Sequence, residues 1–454
     1  MARSAIDLPK RARFTPSQLF ESIVGGGDPE KFFRQWYAGA GDPFRLRLPG
    51  TGDIYFTGSP EGAKEIFSAP AGVFEPPSPN PIEPMIGSGS LILLGGAQHR
   101  RERKLLTPPF HGERMRAYGR VIKEVTLKKM REWSPGDLID VEAAMQGITL
   151  EVIIRTVFGV NDGERVEAFN RSIHAFTSSY APALFMFPVL RRPFFGVGPW
   201  AKFVKSRDGF NRLLDEEIEK RRGEDTSSRD DILSLLLEVR YEDGGSLGGD
   251  ELKDELRTLL VAGHETSATG LAWALCYISC LPSVRASLME ELDHLEPDTT
   301  PEVLVAQEYL GAVCKEATRL HPSVPIVLRQ VVKPFTLLGH PVPVGKCVGV
   351  GISLLHHSEA LWDKPLEFNP NRFIGRKYSP FEFAPFGGGS RRCIGAAFAD
   401  YEMKVVLGTL MSRGVFGELE REPDPPKMRS ITDGFRTQVF LEYQGIRGSV
   451  QRED

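Results

Sequence analysis

Apolar and polar positions change period along this chain, and each period predicts an element. In "PFRLRLPGTGDIYFTGSP" Phe44, Leu46 and Leu48 alternate with Arg45 and Arg47, a Gly-containing turn follows, and Ile54 to Phe56 resume the run, which predicts a hairpin. Glu61 to Phe67 has the spacing of a short helix. "FEPPSPNPIEP", from Phe74 to Pro84, predicts a long loop, because proline lacks the amide donor and restricts the residue before it; such loops often line sites. From His99 to about Arg222 the period is helical, interrupted by the aromatic and proline-rich "APALFMFPVLRRPFFGVGPW". "RRGEDTSSRDD" is a solvated linker. Gly249 to Cys280 predicts one helix about 46 Å long, capped by Asp250 and stopped by Pro282. Leu304 to Leu320 is another helix, "FTLLGHPVPVGKCVGVGI" alternates like paired strands, "DKPLEFNPNRF" is irregular, and Ala396 to Met411 is an apolar helix. The expected fold is mainly α with a smaller β-rich region, in one domain over 1–454. The helical part covers about 98–320 and 394–412, and the β-rich part about 40–60, 323–380 and the C-terminal strands.

The bulk numbers narrow the function classes. With 454 residues, 41% of them apolar, the chain can bury a large core. Lys and Arg number 56 against 60 Asp and Glu, a net charge of -4, so nothing calls for a polyelectrolyte partner and nucleic acid is not expected. The first residues hold no apolar run long enough for a signal peptide or membrane span, so a soluble, cytoplasmic, monomeric protein is expected. Five scattered cysteines, Cys276, Cys280, Cys314, Cys347 and Cys393, argue against a disulfide framework.

Four stretches carry chemistry. In "FGGGSRRCIG", from Phe386 to Gly395, glycines let backbone amides approach a ligand, so a thiolate at Cys393 can accept amide hydrogen bonds beside a flat cofactor, and Arg391 adds positive charge that lowers a thiol pKa. In "AGHETSATG" Gly263 sits in a helix interior, where it costs about 1 kcal/mol relative to alanine and suggests the close approach of another group. Thr266 can bond a carbonyl one turn back, and the two together would open a polar groove. In "HRRERKLL" His99 and Arg103 share one helix face, suited to an anionic cofactor, while Arg100, Arg101 and Lys104 point elsewhere. Glu316 and Arg319, three apart, can form a buried ion bridge, although the same spacing recurs at Glu113/Arg116, Glu219/Arg222 and Glu418/Arg421.

These stretches resemble the haem-thiolate monooxygenases, the cytochromes P-450, of the soluble bacterial type. The family's haem-loop pattern Phe-x-x-Gly-x-Arg-x-Cys-x-Gly is met at Phe386, Gly389, Arg391, Cys393 and Gly395, and five such matches arise by chance in about one chain in ten thousand. Ala262, Gly263, Glu265 and Thr266 match the oxygen-activating segment. His99 and Arg103 match the family's propionate-binding His-x-x-x-Arg, with Arg329 and Arg391 as further propionate candidates. The family completes its Glu-Arg pair with an arginine from Pro-Glu-Arg-Phe; here "PNRF" supplies Arg372, with Asn371 in place of the glutamate, so Glu316, Arg319 and Arg372 are expected to be structural. The motifs run in family order from Phe44 to the strands after Arg429, which implies the multihelical P-450 fold.

The resemblance implies haem b, with Cys393 as the only protein ligand of its iron and a thiolate that favours O–O cleavage, and dioxygen as co-substrate, with Glu265 and Thr266 passing it protons. Two external electrons are needed. The chain has no reductase domain or flavin motif, so a ferredoxin or flavodoxin-type donor with its NAD(P)H reductase is expected. The exposed cations of "HRRERKLL" are either an ordinary solvated face or the docking site of that donor. Two alternatives keep the haem: a peroxygenase or hydroperoxide-rearranging enzyme, whose members commonly lack the acid-alcohol pair, and a non-enzymatic haem-binding protein. Expected pocket walls are Met85, Ile86, Phe185, Phe187, Leu259, Ala262, Val324 and Ile326, all apolar, which suits a fatty acid, terpenoid or polyketide. "PPFHGERMRAYG" and "GAAFADYEMK" are similar to fatty-acid-hydroxylating bacterial members. The Phe-rich interruption is either a lid or a membrane contact. Cys276 and Cys280, one turn apart among apolar neighbours, belong to core packing, and the adjacent His356 and His357 diverge too much for a zinc pair.

Overall fold

The computed structural model describes residues 8–13, 15, 28–48, 52–192, 196–296, 298–428 and 432–447. The turn of the expected hairpin, residues 193–195 of the Phe-rich interruption, residues 429–431 and most of the first 27 residues lie outside the described residues.

The site rests on eight helices: α1 (Pro60–Phe67), α2 (Glu83–Ile86), α3 (Gly96–Leu106), α4 (Val141–Thr156), α5 (Pro199–Arg222), α6 (Gly249–Cys280), α7 (Glu308–Leu320) and α8 (Ala396–Arg413). The main sheet has five strands, β1 (Phe44–Leu48), β2 (Gly52–Thr57), β3 (Phe74–Glu75), β4 (Ile326–Val331) and β5 (Cys347–Gly351), in the order β1-β2-β5-β4-β3. β1 and β2 form the expected antiparallel hairpin, with Phe44 opposite Phe56. β2 then runs parallel to β5, pairing Ile54 with Cys347, so the sheet joins residues near the start of the chain to a segment some 290 positions later. A three-stranded sheet of Asp137–Asp140, Phe440–Ile446 and Gly414–Phe416 is built partly from the C-terminal strands.

Period-two alternation divides β4 between two apolar clusters. Ile326 and Leu328 pack with Phe44, Phe56 and Leu354, whereas Val327 and Val331 pack on the opposite face with Phe67 and Ala384. The first cluster is held by aromatic pairs such as Phe44 and Phe56, ring centroids 5.5 Å apart, each worth about 0.5–1.5 kcal/mol beyond its buried area.

α6 crosses the helical core. Its start differs from the expected cap: the Glu251 carboxylate accepts the Gly248 N–H at 3.0 Å, and Asp250 instead lies within the first turn. Leu281 and Pro282 end it. From Ser267 to Ser279 every side of it is buried, which explains its apolar composition. Among the described residues no single helix is long and apolar enough to cross a membrane. The expected helix over 304–320 is two: Pro301–Val305 ends at Ala306, and α7 restarts beyond Gln307.

Candidate active site

The cysteine loop joins the sheet side of the molecule to α8. Gly387 and Gly389 adopt φ of 62° and 69°, open to glycine and strained for other residues. A Cβ on Gly389 would lie 2.1 Å from the Phe67 carbonyl oxygen, and one on Gly388 2.3 Å from the Phe67 ring. At these two glycines the missing side chain makes room for the end of α1. Gly395 differs, because a Cβ there would meet only Cys393 Sγ, at 4.0 Å. The loop is closed by Cys393 N–H donating to the Phe386 carbonyl at 3.0 Å. Cys393 is exposed, yet burial is the largest influence on its thiol and pushes its pKa up. Both follow if the sulfur faces an internal opening and not bulk water. The Gly395 N–H, Arg392 and Arg103 oppose that shift, and all three favour the thiolate.

A set of cations faces the same region. His99 and Arg103 project from α3, Arg329 from β4 and Arg391 from the loop. His99 is buried, and its pKa falls to about 4 through burial first and then through Arg391, Arg103, Arg329 and Arg100. Burial, with Arg391 adding to it, lowers Arg329 to about 10. The nearest compensation is Glu75, 3.8 Å from Arg391, whose guanidinium also donates to the carbonyls of Ile92 at 3.4 Å and Leu94 at 2.5 Å. Cations that depress one another's pKa with one carboxylate nearby form a site for a buried dianion.

α6 supplies Leu259, Ala262, Glu265 and Thr266. Ala262 is exposed and Leu259 half-buried on a helix whose flanks are buried, so this stripe also faces internal space. Thr266 Oγ1 donates to the Ala262 carbonyl at 2.6 Å, one turn back as expected. α6 is continuous through this stretch, and the room left by Gly263 is taken by Ile153 of α4, whose Cδ1 would be 2.9 Å from a Cβ there. Ser323, in the turn after α7, donates to the Thr266 carbonyl at 2.9 Å, a support with no motif in the sequence. Glu265 is half-buried beside it.

The supporting ion group is assembled behind the loop. Arg319 donates to both Glu316 oxygens at 2.8 and 2.7 Å, Arg372 Nε donates to Glu316 at 2.9 Å, and Arg319 also reaches the carbonyls of His356 and Pro365 at 2.7 Å. His356 is fully buried and its Nε2 accepts the Ala384 N–H at 2.9 Å, tying this group to the segment leading into the loop.

The expected pocket walls divide. Met85 and Phe185 are half-buried against the main core. Ile86 is completely buried and offers no surface to a ligand. Phe187, 44% exposed, lies outside the apolar clusters of the described residues, and Val324 is 37% exposed. Ile326 packs into the N-terminal cluster, away from the loop. Its neighbour Val327 is on the loop side, its Cγ2 3.7 Å from where a Gly387 Cβ would sit. The signal that finds Val327 is alternation from Arg329, which shares its face.

Two of the basic residues on α3 are already paired. Arg101 bonds Asp243 at 2.8 Å and stacks over the Tyr241 ring, and Lys104 bonds Glu242 at 2.5 Å. Arg100 and Arg392 remain exposed.

A sequence model of the cytochrome P-450 family matches residues 17–435. The chain belongs to the cytochrome P-450 family. It is similar to cytochrome P-450 138 of Mycobacterium tuberculosis, 32% identical over 414 residues that cover 90% of this chain and 91% of that protein. It is also similar to cytochrome P-450 135B1 of Mycobacterium bovis, 33% identical over 90% of this chain and 84% of that protein. The fold matches the retinoic acid-bound cyanobacterial CYP120A1 with a TM-score of 0.84 at 23% identity, over 97% of this chain and 99% of the other. As a P-450 the protein is an oxidoreductase, a monooxygenase that uses haem b and dioxygen.

The residues present fit that group. A haem carries two propionates and needs an axial ligand, and this chain offers a cation set short of carboxylates, an accessible thiol supported by an amide, and a loop open beside Gly395.

Proposed function

We propose that this P-450 hydroxylates a hydrophobic small molecule of the fatty acid, terpenoid or polyketide kind, with electrons from a separate ferredoxin or flavodoxin-type donor and its NAD(P)H reductase. The observation that carries the reading is the accessible Cys393 sulfur, set in the interior beside four basic side chains that lack carboxylate partners to match. Cys393 holds the iron, and His99, Arg103, Arg329 and Arg391 hold the propionates. Once bound, the haem supplies dioxygen activation and the oxidising power for insertion into a C–H bond.

The chain's own residues do the rest. The Gly395 N–H, Arg392 and Arg103 favour the thiolate against the burial that raises the thiol pKa, and loss of the proton from Sγ is what allows it to ligate. The Thr266 hydroxyl spends its proton on the Ala262 carbonyl, so it delivers that proton only by rotating away, and Glu265 is the adjacent acid that replaces it. Leu259, Ala262, Val327 and Met85 supply an apolar wall that holds the substrate by burial and excludes water from the reacting face. Arg392 and Lys315 line a cleft of about 310 Å³ behind the loop and are the cations best placed to receive an acidic donor.

The reduced carbonyl complex tests the haem assignment: the wild type is expected to show the red-shifted Soret band of thiolate ligation and Cys393→Ser to lose it. Turnover tests the reaction: product is expected with donor proteins plus dioxygen, and its appearance with peroxide alone at an equal rate would overturn the monooxygenase cycle. Glu265→Gln is expected to keep the spectrum and lower product formed per dioxygen consumed.

A further inference from the structure

The stripe of α6 that lines the pocket ends abruptly. Glu255, Leu259, Ala262 and Thr266 are spaced 4, 3 and 4 apart, which keeps them on one helix face. Ala262 is exposed and Leu259 half-buried, but Glu255, one turn further, is only 1% exposed. Something covers the face between Leu259 and Glu255, and it is the segment that follows α2.

Three consecutive residues of that segment are each held by a side chain of α6. The Gly89 N–H donates to Asp254 Oδ2 at 2.8 Å, the Ser90 hydroxyl donates to Thr258 Oγ1 at 2.7 Å while the Thr258 proton goes to the Asp254 carbonyl at 2.6 Å, and the Leu91 N–H donates to Glu255 Oε1 at 2.7 Å. Ser90 is fully buried and Leu91 nearly so. The strap lies flat because it is glycine-rich: Gly87 has φ of 85°, and a Cβ there would be 2.0 Å from the Asp254 carboxylate. At its far end Arg391 takes the carbonyls of Ile92 and Leu94, so the strap is tied to α6 and to the cysteine loop together. On its outer side is a cleft of about 380 Å³ with charged lining, including Glu83, Arg207, Lys253 and Arg257. Gly87 and Ser88, at the start of the strap, and Asp254 of the clasp line that cleft.

The chemistry of Glu255 suits a fixed bolt. Its other oxygen, Oε2, has no hydrogen-bond partner. Burial first, with the Glu102 and Asp254 carboxylates adding to it, raises its pKa to about 8 against the opposing Leu91 N–H, so at neutral pH it is a neutral acceptor that glutamine imitates.

We propose that Asp254, Glu255 and Thr258 are specificity-determining positioning residues: by clasping residues 89–91 they close the substrate pocket at its far end along α6 and set the longest molecule that fits between that end and the iron. The inference rests on the reading of a hydrophobic pocket over Cys393. From Thr266 to Leu259 the open stripe rises only about 10 Å at 1.5 Å per residue, so the stop falls within the length of a medium-chain lipid tail.

The test uses the haem-loaded full chain and 1-alkylimidazoles of increasing tail length, whose imidazole nitrogen binds the iron whatever the natural substrate is. Each buried methylene tightens binding by about fourfold until the tail meets the stop. The wild type and Glu255→Gln are expected to share one cut-off length. Glu255→Ala and Thr258→Val are expected to move it to longer tails, with tenfold or greater gains for the longest members and faster hydrogen exchange at the Leu91 amide. Identical cut-offs in wild type, Glu255→Ala and Thr258→Val overturn the clasp, as does loss of the cut-off in Glu255→Gln. Thr258→Val removes one hydroxyl contact and keeps the measurement available if Glu255→Ala does not fold. If the imidazole ladder shows a cut-off while fatty acids, terpenoids and polyketides all fail to bind the wild type, the substrate reading falls and the clasp stands.

Discussion

Arg319 and Glu316 are both completely buried one helical turn apart, and the guanidinium meets the carboxylate with two hydrogen bonds at 2.7 and 2.8 Å. Arg372 adds a third at 2.9 Å, and the Asn369 N–H a fourth at 2.8 Å. Burying both charges costs several kcal/mol, offset here because the carboxylate and guanidinium are saturated with partners. The group binds α7 to the segment that leads into the cysteine loop, which places it in the support of the site and outside its chemistry.

Removing one partner strands the others. Glu316→Gln is expected to cost about 3–5 kcal/mol, because two buried guanidinium groups lose their counter-charge. Thermal unfolding and the fraction of chain that takes up haem should both fall. Asn371→Glu, at the exposed position where the family has glutamate, is expected to change neither. A Glu316→Gln protein that melts with the wild type would remove the ion group from the account of stability.

Gly389 and Gly395 separate backbone demands from cofactor demands. Gly389→Ala meets a carbonyl oxygen at 2.1 Å and an unfavourable φ, so it is expected to destabilise the chain with or without haem, and Phe67→Ala does not rescue it because the clash is with backbone. Gly395→Ala is expected to leave the haem-free chain as stable as wild type and to lower haem affinity, since the added methyl projects into the opening beside Sγ. Parallel urea titrations and haem titrations distinguish the two.

β4 predicts opposite results for neighbouring residues. Val327→Phe, on the face that turns toward the loop, is expected to weaken the spin-state shift caused by a bound hydrophobic ligand at least tenfold, with little change in melting temperature. Ile326→Ala, in the N-terminal cluster, is expected to leave the ligand shift intact and cost about 1–3 kcal/mol. The reverse pattern would mean that the strand faces are assigned the wrong way round.

The hairpin at Phe44, the extent of the long helix and the spacing of the cysteine loop are legible in the sequence because each is a local rule of period or of glycine and proline placement. The failures are non-local. That Gly263 receives Ile153, that Gly389 receives Phe67 and that Arg101 and Lys104 are neutralised by Asp243 and Glu242 all depend on segments 110 to more than 300 positions away. Ile326 is a different case. The β-rich region over 323–380 is expected, and once β4 is known to run from Ile326 to Val331, starting the alternation from Arg329 gives Val327.

Buried acids and bases set a pH optimum for stability. His99 and His264 are lowered from 6.5 to about 4 and His357 to about 3, chiefly by burial, and His321 and His356 are lowered well below 6.5 for the same reason. Their unfolded forms bind protons first, so the stability they contribute is present above pH 6.5 and is lost as pH falls through 6.5 toward 4. Glu255 and Glu402 run the other way: burial raises both from 4.5 to about 8, with the Ser267 hydroxyl opposing the shift at Glu402. Their contribution is present below pH 4.5 and is lost as pH rises toward 8. Between 4.5 and 6.5 these five histidines outweigh Glu255 and Glu402 and stability climbs with pH; above 6.5, of these groups, only the glutamates titrate and it declines. The expected optimum is near pH 6.5, with each group contributing about 1.4 kcal/mol per pH unit across its own window. Urea unfolding at pH values on either side of 6.5 measures it. Glu402→Gln should flatten the alkaline limb, and His264→Gln, which keeps an N–H for the Gln146 carbonyl but takes up no proton, should flatten the acid limb. An alkaline limb equally steep in Glu402→Gln would show that Glu402 is already ionised in the folded chain at neutral pH.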